Sequence, residues 1–269
     1  MPTWAEAREI LRGPLFAPLA PALARLDPGR WPDHEALSAA AAGVTTGRGR
    51  PLRFVAPRGR EARALRSYEL HIAETGEVET RPENWHDLFN ALAWIAWPRA
   101  KAEINAQHAA ILEERGESEA RRRSPERDAL TLFDEGGVAV ASSSPELLRL
   151  IVDFEWKELF WRRRGELAGS LSFLAFGHAL FEKALDPFLG IVAKTVFVPV
   201  DERFASRPPQ AQVAEADRLL AAHFANRARF LSPRSMAPLP VLGVPGWHPG
   251  TERESYYDDP AHFRARGPR

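Results

Sequence analysis

His108 and His178 have the clearest capacity for chemistry, because each falls among apolar neighbours. In KAEINAQHAAIL, Lys101, Ile104, Asn105, His108, Ile111 and Leu112 share one helical face, while Glu103, Ala110 and Glu114 take the other. In SLSFLAFGHALFEKAL, Leu171, Leu174, His178, Phe181, Glu182 and Leu185 form a second stripe, with Glu182 one turn beyond His178. Gly177 would let another backbone approach closely beside it. A buried imidazole without a hydrogen-bond partner costs roughly 1–3 kcal/mol, so something polar must meet each ring. Brought together, His108, His178 and Glu182 would offer two imidazoles and a carboxylate, the donor types of a divalent-metal site. The same set would serve as a general acid–base pair, because both group types titrate near neutrality when buried. Two separate core histidines, each bonded to a carbonyl or to Asn105, are the structural alternative. Sequence leaves that alternative open.

A second group stands in PENWHDLFNALAWIAW. Trp85, Leu88, Phe89, Leu92 and Ile95 make a broad apolar face, and His86 and Asn90 lie one turn apart on the neighbouring stripe. Asp87 is on the far shoulder in line with Trp94. Tryptophans on both sides predict a helix covered on both sides, so that His86 and Asn90 line a crevice. Capping by Asn84 and first-turn decoration would explain the same residues without any site. Further along, RDALTLFDEGG supplies Arg127 and Asp128 before a predicted strand, and Asp134 and Glu135 at its turn. An ion pair and turn chemistry account for these as readily as a substrate clamp does.

Stepping from side chains to the elements that must hold them, the pattern is α+β and mainly helical. Residues 1–50 are short helical pieces separated by proline, and LRFVA at 52–56 is a strand. SYELHIAETGEVETR at 67–81 alternates and predicts a hairpin turning at Thr75-Gly76. Helices follow over 84–97 and 99–116, split at Pro98. After the charged connector ESEARRRSPERD, residues 129–144 predict a second hairpin, turning at Glu135-Gly136-Gly137. A helix then begins at Ser144-Pro145. Another helix is predicted over 170–186, then a strand at AKTVFVPV and a helix over 209–230. One globular domain over 1–232 is expected, with 233–269 as an extended Pro- and Gly-rich tail docked on it. The site would form where helices 84–97, 99–116 and 170–186 meet, near the hairpin at 129–140.

Composition narrows the function classes. Thirty-six basic and 36 acidic residues give zero formal net charge, so no global field draws the chain to nucleic acid or an anionic membrane. The arginine triplets Arg121–Arg123 and Arg162–Arg164 sit in a connector and near a helix end, where cations are ordinary. The absence of cysteine excludes disulfides, thiolate metal sites and a Cys nucleophile. The start of the chain, interrupted by Glu6, Arg8, Glu9 and Arg12, reads as neither a signal peptide nor an anchor, and a cytoplasmic location is expected. Asparagine occurs four times, and three of the four (Asn84, Asn90, Asn105) fall in the one stretch singled out above. His86-Asp87 is the doublet of HD phosphohydrolases, but no helical histidine stands upstream where that site needs one.

The motifs NWHDLFNALAWIAWPRAKAEINAQH, RDALTLFDEGGV, FGHALFEKAL, AKTVFVPV and PLPVLGVPGW…YYDDPAHFR occur in this order from Pro82 to the C-terminus. In them the chain resembles the bacterial domain-of-unknown-function family numbered 3025. That resemblance implies no activity, cofactor or partner. It makes Asn84, His86, Asp87, Asn90, Arg99, Asn105, His108, Arg127, Asp128, Asp134, His178, Glu182 and Lys183 the matching motif positions.

The expectation is a small enzyme, hydrolysis first, or a ligand-binding protein. His108 and His178 would be the catalytic acid–base groups or metal ligands, with Glu182 and Asp87 as their carboxylate partners. His86, Asn90, Asn105, Arg127, Asp128 and Lys183 would orient a polar substrate. A divalent metal on His108, His178 and Glu182 is compatible with the sequence but not required by it. The rival is a non-enzymatic protein whose polar residues form a buried network and whose Trp-rich surface and tail engage a protein partner.

Overall fold

A four-stranded sheet sets the frame, and it is apolar on both faces. The computed structural model describes residues 1–59, 67–116, 119 and 123–266. In chain order the elements begin with α1 (Trp4–Ile10), α2 (Ala20–Leu23), α3 (His34–Ala40), β1 (Arg53–Val55), α4 (Tyr68–Thr75) and β2 (Glu77–Glu79). Then come α5 (Trp85–Ala96), α6 (Pro98–Arg115), α7 (Pro125–Gly136), β3 (Gly137–Ser142), α8 (Pro145–Asp153) and α9 (Arg164–Ser170). The chain finishes with β4 (Leu171–Ala175), α10 (His178–Ala184), β5 (Val192–Pro199), α11 (Pro209–Phe224) and β6 (Ala237–Pro240), joined by short 3-10 and π turns. The class is α+β and mainly helical, as the sequence predicts.

The strand order is β4-β3-β5-β6; β3 runs antiparallel to β4 and parallel to β5, and β6 is an antiparallel edge. All six residues of β3 are buried. Val138 and Val140 join one core with Phe89, Leu171 and Phe181, while Ala139 and Ala141 join another with Phe133, Phe176 and Val196. That is the period-two alternation of a strand covered on both sides. β1 and β2 form a separate parallel pair, with α4 between them in sequence.

Three predicted elements take a different form. Residues 68–75 are helix α4, not the first arm of a hairpin. The Ser67 hydroxyl accepts from Leu70 N–H, and Gly76 closes the helix in the left-handed region at φ 75°. A Cβ at Gly76 would stand 2.1 Å from Pro51 O, so the close is reserved for glycine. Residues 125–136 are helix α7, begun by Ser124 and by Pro125 at its first position, with Ala129, Leu130 and Phe133 on its buried face. Only the part from Gly137 onward is strand, so Asp134 and Glu135 lie on the last turn of a helix rather than in a hairpin turn. The helix predicted over 170–186 is split into β4 and α10. Both Phe176 N–H and Gly177 N–H donate to Gly137 O, at 2.9 and 3.0 Å, and tie the strand end to β3. Pairing with β3 satisfies the backbone of 171–175 and outweighs local helical preference.

The helices that matter most for the site follow the sequence. Asn84 Oδ1 caps α5 by accepting from Asp87 N–H at 3.0 Å, and Pro98 opens α6. Trp97 provides no side-chain cap for α6; Asp217 of α11 does so instead, accepting from Arg99 N–H at 3.1 Å and Ala100 N–H at 2.8 Å. The predicted helix over 209–230 ends at Phe224 and continues as a 3-10 turn at Arg227–Arg229. Beyond residue 233, β6 pairs with β5, and Val241, Leu242, Val244, Tyr257 and Phe263 are buried. None of the eight tryptophans is exposed; Trp4, Trp31, Trp161 and Trp247 are half-buried and the other four are buried. Arg162, Arg163 and Arg164 are held in ion pairs with Glu158, Glu166 and Glu252, while Arg121 and Arg122 lie outside the described residues. Among the described residues no helix is long and apolar enough to cross a membrane.

Candidate functional site

α4, α5, α6 and α7 line a cavity of about 580 Å³, and the start of α10 contributes His178 to it. Its wall is polar: Tyr68 and Glu69 from α4, His86, Asp87 and Asn90 from α5, Lys101, Asn105 and His108 from α6, Arg127, Thr131 and Asp134 from α7, and His178 from α10. Arg58, Glu79, Arg81, Arg123 and Glu135 complete the polar rim. The α10 N-terminus reaches this point because Gly177 lies against the α7 backbone, where a Cβ would be 2.4 Å from Glu135 O. The close approach anticipated at Gly177 is therefore real, and its partner is α7.

Lys101 is the hub of the inner wall. Its ammonium donates to Asp134 Oδ1 at 2.6 Å and to Asn90 Oδ1 at 2.9 Å, and lies 5.3 Å from the Trp94 ring centre. Asn90 Nδ2 in turn donates to the Tyr68 hydroxyl at 3.2 Å. Burial opposes ionisation of Asp134, but the charge and hydrogen bond of Lys101 together with the neighbouring His178 and His108 outweigh it and hold the carboxyl below its ordinary value. His178 is 7% exposed, and burial pushes its pKa down to about 4. Among the described residues its Nδ1 makes no well-formed hydrogen bond; Asp134 Oδ2 faces it from 3.5 Å, and the Asp134 backbone also approaches the ring. The His86 ring stands edge-on to the His178 ring, with centres 4.6 Å apart, and His86 Nδ1 meets Glu182 Oε2 at 2.9 Å. Two imidazole–carboxylate couples thus lie side by side.

His108 lies two turns beyond Lys101 on α6. Burial lowers its pKa, and Nδ1 accepts from Arg127 Nε at 3.3 Å, so the neutral ring carries its proton on Nε2. Arg127 also reaches the Glu119 carboxylate at 3.3 Å. One helical turn before His108, Asn105 Nδ2 donates to Glu69 O at 2.9 Å and to Glu69 Oε2 at 2.7 Å, while Asn105 Oδ1 is buried without a partner.

Most of the residues singled out in the sequence therefore share one cavity: His86, Asp87, Asn90, Asn105, His108, Arg127 and His178. Glu182 lies one turn beyond His178 on α10, as the spacing predicts, but it is not part of the lining and its carboxylate meets His86 of α5. Asp87 is gripped by Arg81 through two side-chain bonds at 2.8 and 2.9 Å, which outweigh burial and keep its carboxyl low. Asp128 faces Arg123 at 3.9 Å away from the cavity, and Lys183 is exposed; neither lines the cavity. His108, His178 and Glu182 do not assemble into the two-His, one-carboxylate ligand set. Among the described residues no three His, Asp or Glu side chains are grouped to hold a metal ion.

Sequence reading missed Tyr68 and Glu69, and treated Asp134 as a turn residue. Both errors follow from reading helices α4 and α7 as hairpins. The signals that identify those helices, Ser67 with Gly76 and Ser124-Pro125, are legible in the chain.

Fold and cavity together define a mainly helical α+β protein with a polar site lined mainly by helices. Residues 52–267 match the family described as "Protein of unknown function (DUF3025)", and the chain belongs to that family. Neither the curated proteins nor the solved structures provide a match.

Proposed function

We propose that the chain is a small-molecule enzyme of hydrolase type, with His178 and Asp134 as its acid–base couple in the cavity. One observation carries the reading. His178, neutral and almost fully buried, presents at the wall of a polar cavity an Nδ1 with no well-formed hydrogen bond among the described residues, and an ionised carboxylate lies 3.5 Å away. A buried polar atom left unpaired costs roughly 1–3 kcal/mol, which a chain optimised only for stability would avoid. A neutral imidazole accepts a proton from water or a ligand hydroxyl, and Asp134 stabilises the imidazolium that forms. A base at about 4 is weak, and closing the gap to Asp134 when a ligand binds would strengthen it. Lys101 keeps Asp134 charged for this role, and His108 Nε2–H is a donor for a polar group of the ligand.

The test is turnover of p-nitrophenyl ester, phosphodiester and anilide substrates by the purified chain and by His178→Asn. Loss of at least about a hundredfold in rate with an unchanged melting temperature is expected for the variant. Turnover unaffected by the substitution, or none by the natural chain on any of the three classes, would remove the reading.

A second reading is favoured by the density of internal bonds: Lys101, Asn90, Asp134, Asn105, Glu69, Arg127 and His108 all engage one another or their neighbours. Such a network can fix a unique fold with no chemistry attached. Under it, His178→Asn lowers stability and no ligand binds.

A further inference from the structure

The charges and unpaired atoms of the cavity also bear on what it holds. Five cationic side chains line it, and each lies within 4 Å of a carboxylate. Arg58 is paired with Glu79, Arg81 with Asp87 at 2.8 Å, and Lys101 with Asp134 at 2.6 Å. Arg127 draws on Glu119 at 3.3 Å, and Arg123 faces Asp128 at 3.9 Å, both carboxylates lying outside the lining. With His108 and His178 both held neutral by burial, Glu69 and Glu135 are the two lining carboxylates that no described cation meets within ion-pair distance.

Asn105 marks the place where the charge of Glu69 can be used. Its Nδ2 donates to both the backbone and the side-chain oxygen of Glu69, which fixes the amide orientation; turned over, its oxygen would face two other oxygens. Oδ1 is then an acceptor, buried in a residue 2% exposed, and nothing among the described residues donates to it. A carboxylate without a cation and an amide oxygen without a donor therefore adjoin on one wall. Water could supply donors but no charge. A group that supplies both is a protonated primary amine, with three N–H donors and one positive charge.

We infer that the cavity takes a ligand bearing a primary ammonium group, held by the Glu69 carboxylate and Asn105 Oδ1. The inference rests on the reading of the cavity as a ligand site, and not on which residue does chemistry there. It makes an amine-bearing molecule the substrate class, with its reacting portion toward His178 and Asp134.

The experiment is calorimetric titration of the full chain with 1-butylamine, 1-butanol and butyrate, matched in length and differing in charge. The amine is expected to bind at least about tenfold more tightly than either of the others. Glu69→Gln, which retains an oxygen to accept from Asn105, should lower amine affinity about tenfold, while Asp128→Asn outside the cavity leaves it unchanged. If butanol or butyrate binds as well as the amine, or if Glu69→Gln binds the amine undiminished, the inference is overturned while the cavity can still be a ligand site. If none of the three binds, both readings fall. Comparing the three probes on the natural chain needs no variant, so a poorly folding substitution cannot obscure the result.

Discussion

Phe89 and Asn90 are neighbours on α5 and are held by different physics. Phe89 is fully buried, stacked on Phe16, Trp85 and Phe181 with ring centres 5.5–6.1 Å apart. Asn90 turns to the cavity, where it is fixed by two directional bonds, to Tyr68 and to Lys101. On the aromatic side, position follows from many weak contacts and from volume, so deletion is costly but replacement by a similar shape is tolerated. On the cavity side, position follows from a few bonds between named atoms, so a change of shape matters less than the loss of a partner. The contrast teaches that α5 is anchored by one face and leaves the other for a polar site.

The largest effect is expected on the aromatic side. Phe89→Ala should cost about 3–5 kcal/mol in urea unfolding, and Phe89→Leu clearly less. An Asn90→Ala loss as large as that of Phe89→Ala would break the comparison. Next comes Lys101→Met, which strands Asp134 beside the cavity without its cation. A loss of about 3 kcal/mol is expected, largely recovered in the double variant Lys101→Met/Asp134→Asn, since the cost lies in the uncompensated charge.

Acid sensitivity sharpens the comparison further, because it belongs to the cavity side. His178 is held at about 4 when folded and returns to 6.5 when unfolded, so the unfolded chain binds more protons between those values. Stability from this group is full above about pH 6.5 and is lost as pH falls toward 4, by on the order of 2 kcal/mol. Asp217 acts in the opposite sense. Burial raises its carboxyl to about 6 despite the two N–H groups it caps, so its contribution favours the fold at low pH and fades as pH rises from 3.8 to 6. Denaturant titrations over this range should show a steeper acid loss for the natural chain than for His178→Asn and a still steeper one for Asp217→Asn. Equal slopes for all three would mean these groups do not set the pH response. The smallest effect is expected for Ser67→Ala, about 1 kcal/mol, read as faster amide exchange in the first turn of α4 over the cavity.

Much of this was legible in the chain itself. α5 and α6 are readable from Asn84, from Pro98 and from apolar periodicity, and the inward stripe of α6 correctly points Lys101, Asn105 and His108 at one another's neighbours. Local signals suffice there because caps, proline and face periodicity all agree. They do not agree over 68–75, where alternation suggests a strand while Ser67 and Gly76 mark a helix. Nor do they over 171–175, where a good helical stripe yields to β3 as a hydrogen-bonding partner.

The sequence alone determined the class of the fold, the helices that carry the polar residues, and most of the polar set that lines the cavity. It could do so because helix ends and faces are written in nearby residues. Only the tertiary structure decided who meets whom: Glu182 with His86, Asp134 with Lys101 and His178, Asp217 at the start of α6, Glu69 with Asn105. Those pairings join residues from 30 to more than 100 positions apart. Nothing in local propensity encodes them, because they depend on how a sheet buried on both faces brings separate helices together.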